Sequence, residues 1–158
     1  MSKKNPKYIV DTCSLTEMRR TYPKDIFPGA WDKISILAGS GIILSVENVY
    51  EELKSQDDDV FEWARRFSEI FLPLDEAIQL KVREILKTHK NLLDLKKKTS
   101  EADPFVVACA ILHDCTVVTE EKPSGGSNKA KIPDVCKAYG VECVPLIEMF
   151  RREDLKLK

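Results

Sequence analysis

The fold is decided by the stretch Tyr8–Ser14, which reads Y-I-V-D-T-C-S. Three apolar or aromatic residues lead directly to Asp11, and small polar residues follow it. This order predicts a short buried strand over residues 7–11 whose carboxyl end carries a carboxylate. Ligands of open parallel α/β sheets bind just beyond the carboxyl ends of the strands, so chemistry is expected at Asp11.

The composition limits the class of protein. A chain of 158 residues has the length of one domain, and we expect a single domain over residues 1–158. Apolar residues make up 43%, which is enough for a core and argues against disorder. The net charge of −1 provides no overall basic field for nucleic acid. Charge is nevertheless segregated, because residues 51–69 are mainly acidic and residues 87–98 contain five lysines and one acid.

The cysteines and the N-terminus indicate the cellular environment. None of the five cysteines forms a C-x-x-C pair, and with only two histidines the usual zinc patterns are missing. Free thiols in a reducing compartment are therefore expected. The polar start M-S-K-K-N-P has no signal region, and no apolar run reaches the roughly 18–20 residues of a membrane helix. We expect a cytoplasmic protein.

Strand and helix patterns alternate along the rest of the chain. Predicted helices begin with Ser14 as an N-cap paired with Glu17, and with Asp103 as an N-cap before Pro104. The alternation predicts a three-layer α/β/α fold with a central, mostly parallel sheet of 4–5 strands. The further strands are predicted at residues 42–45, 71–74, 115–119 and 141–145, with 71–74 and 141–145 at the edges. Helices are predicted at residues 14–20, 29–38, 46–53, 75–95, 103–112, 133–139 and 146–154. A further helix is predicted to follow a cap at residues 57–59.

Acidic residues recur beside the predicted carboxyl edge of this sheet. Taken singly, most have ordinary explanations as helix caps, a solvated helix face or a strand-end turn. Asp11 is the exception, because a carboxylate on a buried strand is costly without a partner. Together they predict a site for Mg²⁺ or Mn²⁺, which relieves carboxylate repulsion and can activate water against a phosphodiester. The acids are Asp11, Glu51 or Glu52, Asp103, and Glu120 or Glu121.

Four motifs resemble those of the PIN-domain nucleases, which are small metal-dependent α/β ribonucleases. The resemblance covers roughly residues 7–150 and favours a PIN-like branch known as a domain of unknown function. The Rossmann-like fold of PIN domains agrees with the strand and helix pattern. The motifs are D-T-x-x-hydrophobic at residues 11–15, V-x-x-E-L at 49–53, an acid opening an alanine-rich helix at 102–110, and V-V-T-E-E at 117–121.

The resemblance implies roles for individual residues. It makes Asp11, Glu52, Asp103 and Glu121 the catalytic acids and the ligands of one or two Mg²⁺ or Mn²⁺ ions. Ser14 and Thr119 would hydrogen-bond those ligands, while Glu51 and Glu120 stay open as alternates. Two positions depart from the family pattern: Glu121 replaces the usual aspartate, and Cys13 replaces serine or asparagine. A thiol is a poor partner for Mg²⁺, and we interpret Cys13 as a small buried residue.

The expected function is metal-dependent hydrolysis of RNA. The resemblance further implies a toxin neutralised by an antitoxin. We also expect a homodimer. RNA contacts are predicted in the loop after residues 115–119, at Lys122, Lys129 and Lys131. The alternative is a catalytically inactive PIN-like module that binds RNA or protein. A haloacid-dehalogenase-like phosphatase also begins with a strand-end aspartate, but it needs a second aspartate where Cys13 stands.

Overall fold

The computed structural model describes residues 5–89, 102–123 and 131–156. Within these ranges five strands alternate with eight helices and one short 3-10 turn, Ser68–Ile70. The strands are β1 (Tyr8–Val10), β2 (Ile43–Val46), β3 (Phe71–Leu72), β4 (Thr116–Val118) and β5 (Cys143–Val144). The helices are α1 (Thr12–Thr21), α2 (Pro28–Gly39), α3 (Glu47–Gln56), α4 (Asp59–Arg66), α5 (Glu76–Thr88), α6 (Asp103–His113), α7 (Ile132–Ala138) and α8 (Leu146–Arg152).

The five strands form one all-parallel sheet in the order β3-β2-β1-β4-β5. The opening strand β1 is therefore central, with Ile9 opposite Leu44 on β2 and Val117 on β4. The predicted α/β/α architecture is confirmed, and β3 and β5 lie at the edges as expected. Because the strands are parallel, the residues that follow β1 and β4 emerge side by side at the same edge.

Burial on both faces explains the composition of the central strands. Ile9, Val10, Val117 and Val118 are all 0% exposed, as expected for short apolar strands covered by helices on both sides. Helix α6 is also deeply buried and packs against α5, β1 and β2, in keeping with its apolar sequence. The sheet and α6 therefore form a well-packed base beneath the carboxyl edge.

Two predicted helix caps are wrong by a few residues. Helix α1 starts at Thr12 and its N-cap is Asp11, whose extended backbone lets the carboxylate accept a hydrogen bond from the Ser14 amide. Ser14 instead lies in the first turn, where its hydroxyl donates to the Asp11 carbonyl. Aspartate and serine are equally good N-caps, so the motif S-x-x-E did not decide between them.

Helix α6 shows the second difference. Its N-cap is Ala102, and Asp103 is already the first helical residue, without a side-chain cap. Residues 90–95 of the helix predicted over 75–95 lie outside the described residues. No helix in the described part of the chain is long and apolar enough to cross a membrane.

Candidate metal centre

Asp11 is a buried carboxylate between β1 and α1. It is 2% exposed, and its Oδ1 accepts from the Ser14 amide at 2.8 Å. Its Oδ2 accepts from the Cys13 thiol at 3.1 Å. Within the described ranges no lysine, arginine or histidine forms an ion pair with it. Burial raises the pKa of Asp11, and hydrogen bonds from neutral groups only partly oppose that effect. The carboxylate is thus hydrogen-bonded to neutral groups, and no basic side chain of the described residues neutralises its charge.

A second carboxylate meets Asp11 at this edge. Glu121 follows β4, and ligand atoms of Asp11, Cys13 and Glu121 all lie within 4.8 Å of one another. These three residues are called the Asp11 cluster below. Burial is the larger cause and the nearby negative charge of Asp11 the second, and together they raise the pKa of Glu121 to about 7. Two such close carboxylates favour either a shared proton or a cation.

Thr119 is 3% exposed and holds the cluster together. Its hydroxyl oxygen accepts from the Glu121 amide at 3.1 Å and lies 3.4 Å from the Cys13 sulfur. Its own amide donates to the Val144 carbonyl on β5, which anchors it to the sheet. Thr119 therefore connects both sides of the cluster, the arrangement expected of a residue that orients metal ligands.

Glu52 and Asp103 lie elsewhere along the same edge. Glu52 Oε1 accepts from the Thr12 hydroxyl at 2.6 Å, and Oε2 accepts from the Ala102 amide at 3.2 Å. Asp103, directly after Ala102, is 6% exposed. Neither acid belongs to the group of three ligand atoms within 4.8 Å that the described residues form. The structure thus brings Asp11 and Glu121 together and places Glu52 beside the start of α6.

The structure also separates the alternates. Glu51 is exposed, whereas Glu52 is partly buried and hydrogen-bonded to the residue after Asp11. Glu120 Oε1 accepts from the Leu146 amide at 2.9 Å, so it satisfies the N-terminus of α8. Glu121, not Glu120, faces Asp11.

The basic residues are only partly described. Lys122 and Lys131 are both exposed, and they lie on either side of residues 124–130. The positive charge of Lys131 opposes the upward shift of the Glu121 pKa. Lys129 lies outside the described residues.

Sequence reasoning did not place Cys13 in the cluster. The available signal was the two-residue spacing after Asp11: once Asp11 caps α1, Cys13 occupies the first turn, and its thiol reaches back to the carboxylate. The resulting donor set is two carboxylates, one of them deeply buried, and a thiol. This chemistry fits a divalent metal ion.

Comparisons with known proteins agree with the architecture. The family model described as Domain of unknown function (DUF4411) matches residues 8–157. The FitAcB structure from Neisseria gonorrhoeae aligns with a TM-score of 0.51 at 18% identity, covering 86% of this chain and 95% of that chain. The structure of VapBC2 from Rickettsia felis bound to a promoter DNA fragment aligns with a TM-score of 0.53 at 13% identity, covering 87% and 97%. No curated protein matches.

Both aligned structures contain PIN-domain proteins, so the resemblance found in the four motifs is confirmed. At 13% and 18% identity, the likeness concerns the fold. The chain belongs to the family described as Domain of unknown function (DUF4411), and it has a PIN-like fold.

Proposed function

We propose that the chain is a metal-dependent endoribonuclease that hydrolyses RNA phosphodiester bonds. The observation that carries this proposal is the meeting of Asp11 and Glu121 at the carboxyl edge of a parallel sheet. Asp11 is buried there without an ion pair from the described residues, at a cost that a bound cation would offset. This edge is also where open α/β sheets bind ligands.

Mg²⁺ or Mn²⁺ is the proposed cofactor, and Asp11 and Glu121 are its first ligands. A bound ion supplies an activated water and neutralises charge on the scissile phosphate. Glu52 and Asp103 are the proposed further acids along the same edge. The Thr12 hydroxyl and the Ala102 amide hold the Glu52 carboxylate in one orientation. Thr119 and Ser14 orient Glu121 and Asp11.

An acidic centre needs nearby cations to hold RNA. Lys122 directly follows Glu121, and exposed Lys131 is close enough for its charge to act on that carboxylate. We assign phosphate binding to these two lysines and to Lys129, the third predicted residue of the same loop. Such contacts position the backbone of the RNA without reading its sequence.

The likeness to two toxin structures supports a toxin role. Both aligned structures are complexes of PIN-domain toxins with their antitoxins. We therefore propose that this chain acts in the cytoplasm as the toxin of such a pair and binds an antitoxin protein. The homodimer remains a prediction.

RNA cleavage by wild type, Asp11→Asn and Glu51→Gln tests the activity. Asp11→Asn keeps the size of the side chain and removes its charge, whereas exposed Glu51 is the matched acidic control. We expect Mg²⁺- or Mn²⁺-dependent cleavage by wild type, loss by at least ~100-fold in Asp11→Asn, and little change in Glu51→Gln. Equal rates for wild type and Asp11→Asn would overturn the mechanism. RNA binding without cleavage would favour the inactive binding module.

A further inference from the structure

We infer that Cys13 is a direct ligand of the metal ion and shifts the preference of the site toward thiophilic divalent cations such as Zn²⁺ and Co²⁺. This inference rests on the proposed metal site and adds a third ligand, which lets zinc-like ions compete there with the proposed Mg²⁺ or Mn²⁺. The donor set is then one thiolate and two carboxylates, from Cys13, Asp11 and Glu121.

The distances in the cluster suit a shared ion. The Cys13 sulfur lies 3.1 Å from Asp11 Oδ2. A sulfur at ~2.3 Å and an oxygen at ~2.1 Å from one tetrahedrally coordinated ion are separated by about 3.6 Å, so the two atoms would move apart by about 0.5 Å on binding. Rotation of the two side chains can supply a change of this size, so both atoms can bind the same ion. Glu121 brings the protein ligands to three, the number that catalytic zinc sites combine with a water.

The burial of Asp11 supplies an independent reason for a cation at this position. Its carboxylate is 2% exposed, and within the described ranges no basic side chain pairs with it. In the absence of an ion, the Cys13 thiol donates a hydrogen bond to Oδ2 of Asp11. A metal ion bound between the sulfur and Oδ2 would take the place of that proton.

Metal binding would replace the thiol proton of Cys13: Cys–SH and M²⁺ would give Cys–S–M⁺ and a proton released to solvent. The thiolate and two carboxylates carry three negative charges, which a divalent ion largely neutralises. Thiolate favours zinc-like ions over Mg²⁺, whose preferred ligands are oxygens. The serine or asparagine that PIN domains carry at this position would not produce that preference.

Cobalt(II) is a suitable probe, because a cysteine sulfur bound to Co²⁺ produces a charge-transfer band in the near ultraviolet. The samples are the full chain as wild type, Cys13→Ser and Cys143→Ser. Cys143 is also half-buried and lies on neighbouring β5, outside the cluster, which makes it the matched thiol control. Calorimetry with Co²⁺, Zn²⁺ and Mg²⁺ provides the affinities, and circular dichroism confirms folding of each variant.

We expect the band in wild type and Cys143→Ser, and its loss in Cys13→Ser. The affinity of Cys13→Ser for Co²⁺ and Zn²⁺ should fall at least about tenfold, while that for Mg²⁺ changes much less. A wild-type protein that binds Co²⁺ without the band overturns the inference, as does a band that survives in Cys13→Ser. A wild-type protein that does not bind Co²⁺ overturns it too.

The outcome is separable from that of the proposed function. RNA cleavage with Mg²⁺ or Mn²⁺ but no sulfur–cobalt band would remove Cys13 from the metal and leave the nuclease proposal standing. A sulfur–cobalt band without RNA cleavage under any metal would establish the ligand and reject the nuclease.

Discussion

Glu52 Oε1 accepts a 2.6 Å hydrogen bond from Thr12 Oγ1, which ties α3 to the first turn of α1. Thr12 is the residue after Asp11, so this bond places the Glu52 carboxylate beside the candidate metal centre. The second Glu52 oxygen accepts from the Ala102 amide at the start of α6. Three helices thus meet at one carboxylate.

This arrangement predicts different effects for neighbouring glutamates. Glu52→Gln should lower RNA cleavage by about 100-fold, because it removes an anchored carboxylate that we propose as a further acid of the metal centre. Glu51→Gln should change the rate by less than about threefold, since Glu51 is exposed. Single-turnover cleavage rates measure both. A larger loss in Glu51→Gln than in Glu52→Gln would reverse the assignment.

The role of Asp11 as an N-cap predicts how its variants affect stability. Asp11→Asn retains an oxygen for the Ser14 amide and removes a buried charge, so the metal-free variant should be at least as stable as wild type. Asp11→Ala lacks the cap and should be about 1 kcal/mol less stable than Asp11→Asn. Urea unfolding in EDTA measures the difference, and equal stabilities would contradict the capping role.

Glu121 predicts a pH dependence of the metal-free protein. Its pKa is about 7 when folded against 4.5 ordinarily, so the folded state binds the extra proton between these values. The stability from this group is complete below about pH 4.5 and is lost as pH rises through 7. After a discount for solvent screening, we expect a loss of roughly 1–2 kcal/mol.

The measurement is urea unfolding in EDTA from pH 5 to pH 8 for wild type and Glu121→Gln. Glu121→Gln cannot titrate at this position and should lose less stability over the range. Asp11 titrates in both proteins, so the difference between the two curves reports Glu121 together with its coupling to Asp11. Parallel curves would exclude the raised pKa.

The loop lysines predict a salt effect on RNA binding. Lys122→Ala and Lys131→Ala should each weaken binding and reduce the slope of log affinity against log salt by about 0.7–1. Lys7 is the control, because it lies before β1, at the amino-terminal end of the parallel strands, and is also exposed. Filter binding of single-stranded RNA to the Asp11→Asn protein at several salt concentrations provides the slopes. An equal effect from Lys7→Ala would indicate non-specific attraction.

Local pattern alone predicted the layers, the parallel sheet, its edge strands and the position of Asp11. Short apolar runs bounded by polar residues identify buried strands, and helical periodicity between them demands parallel crossovers. Residues 8–10 and 116–118 followed this rule closely, because both strands are covered on both faces. The register between β1 and β4 then placed Asp11 near Glu121.

Only the tertiary structure decided which of two adjacent acids faces the site. Neighbouring residues on a helix point about 100° apart, so packing of α3 against α1 determines that Glu52 meets Thr12 while Glu51 faces solvent. After β4, Glu120 accepts a hydrogen bond from the Leu146 amide, whereas Glu121 lies beside Asp11. The inclusion of Cys13 depended on where α1 begins, because a helix that starts at Thr12 brings the thiol to the Asp11 carboxylate.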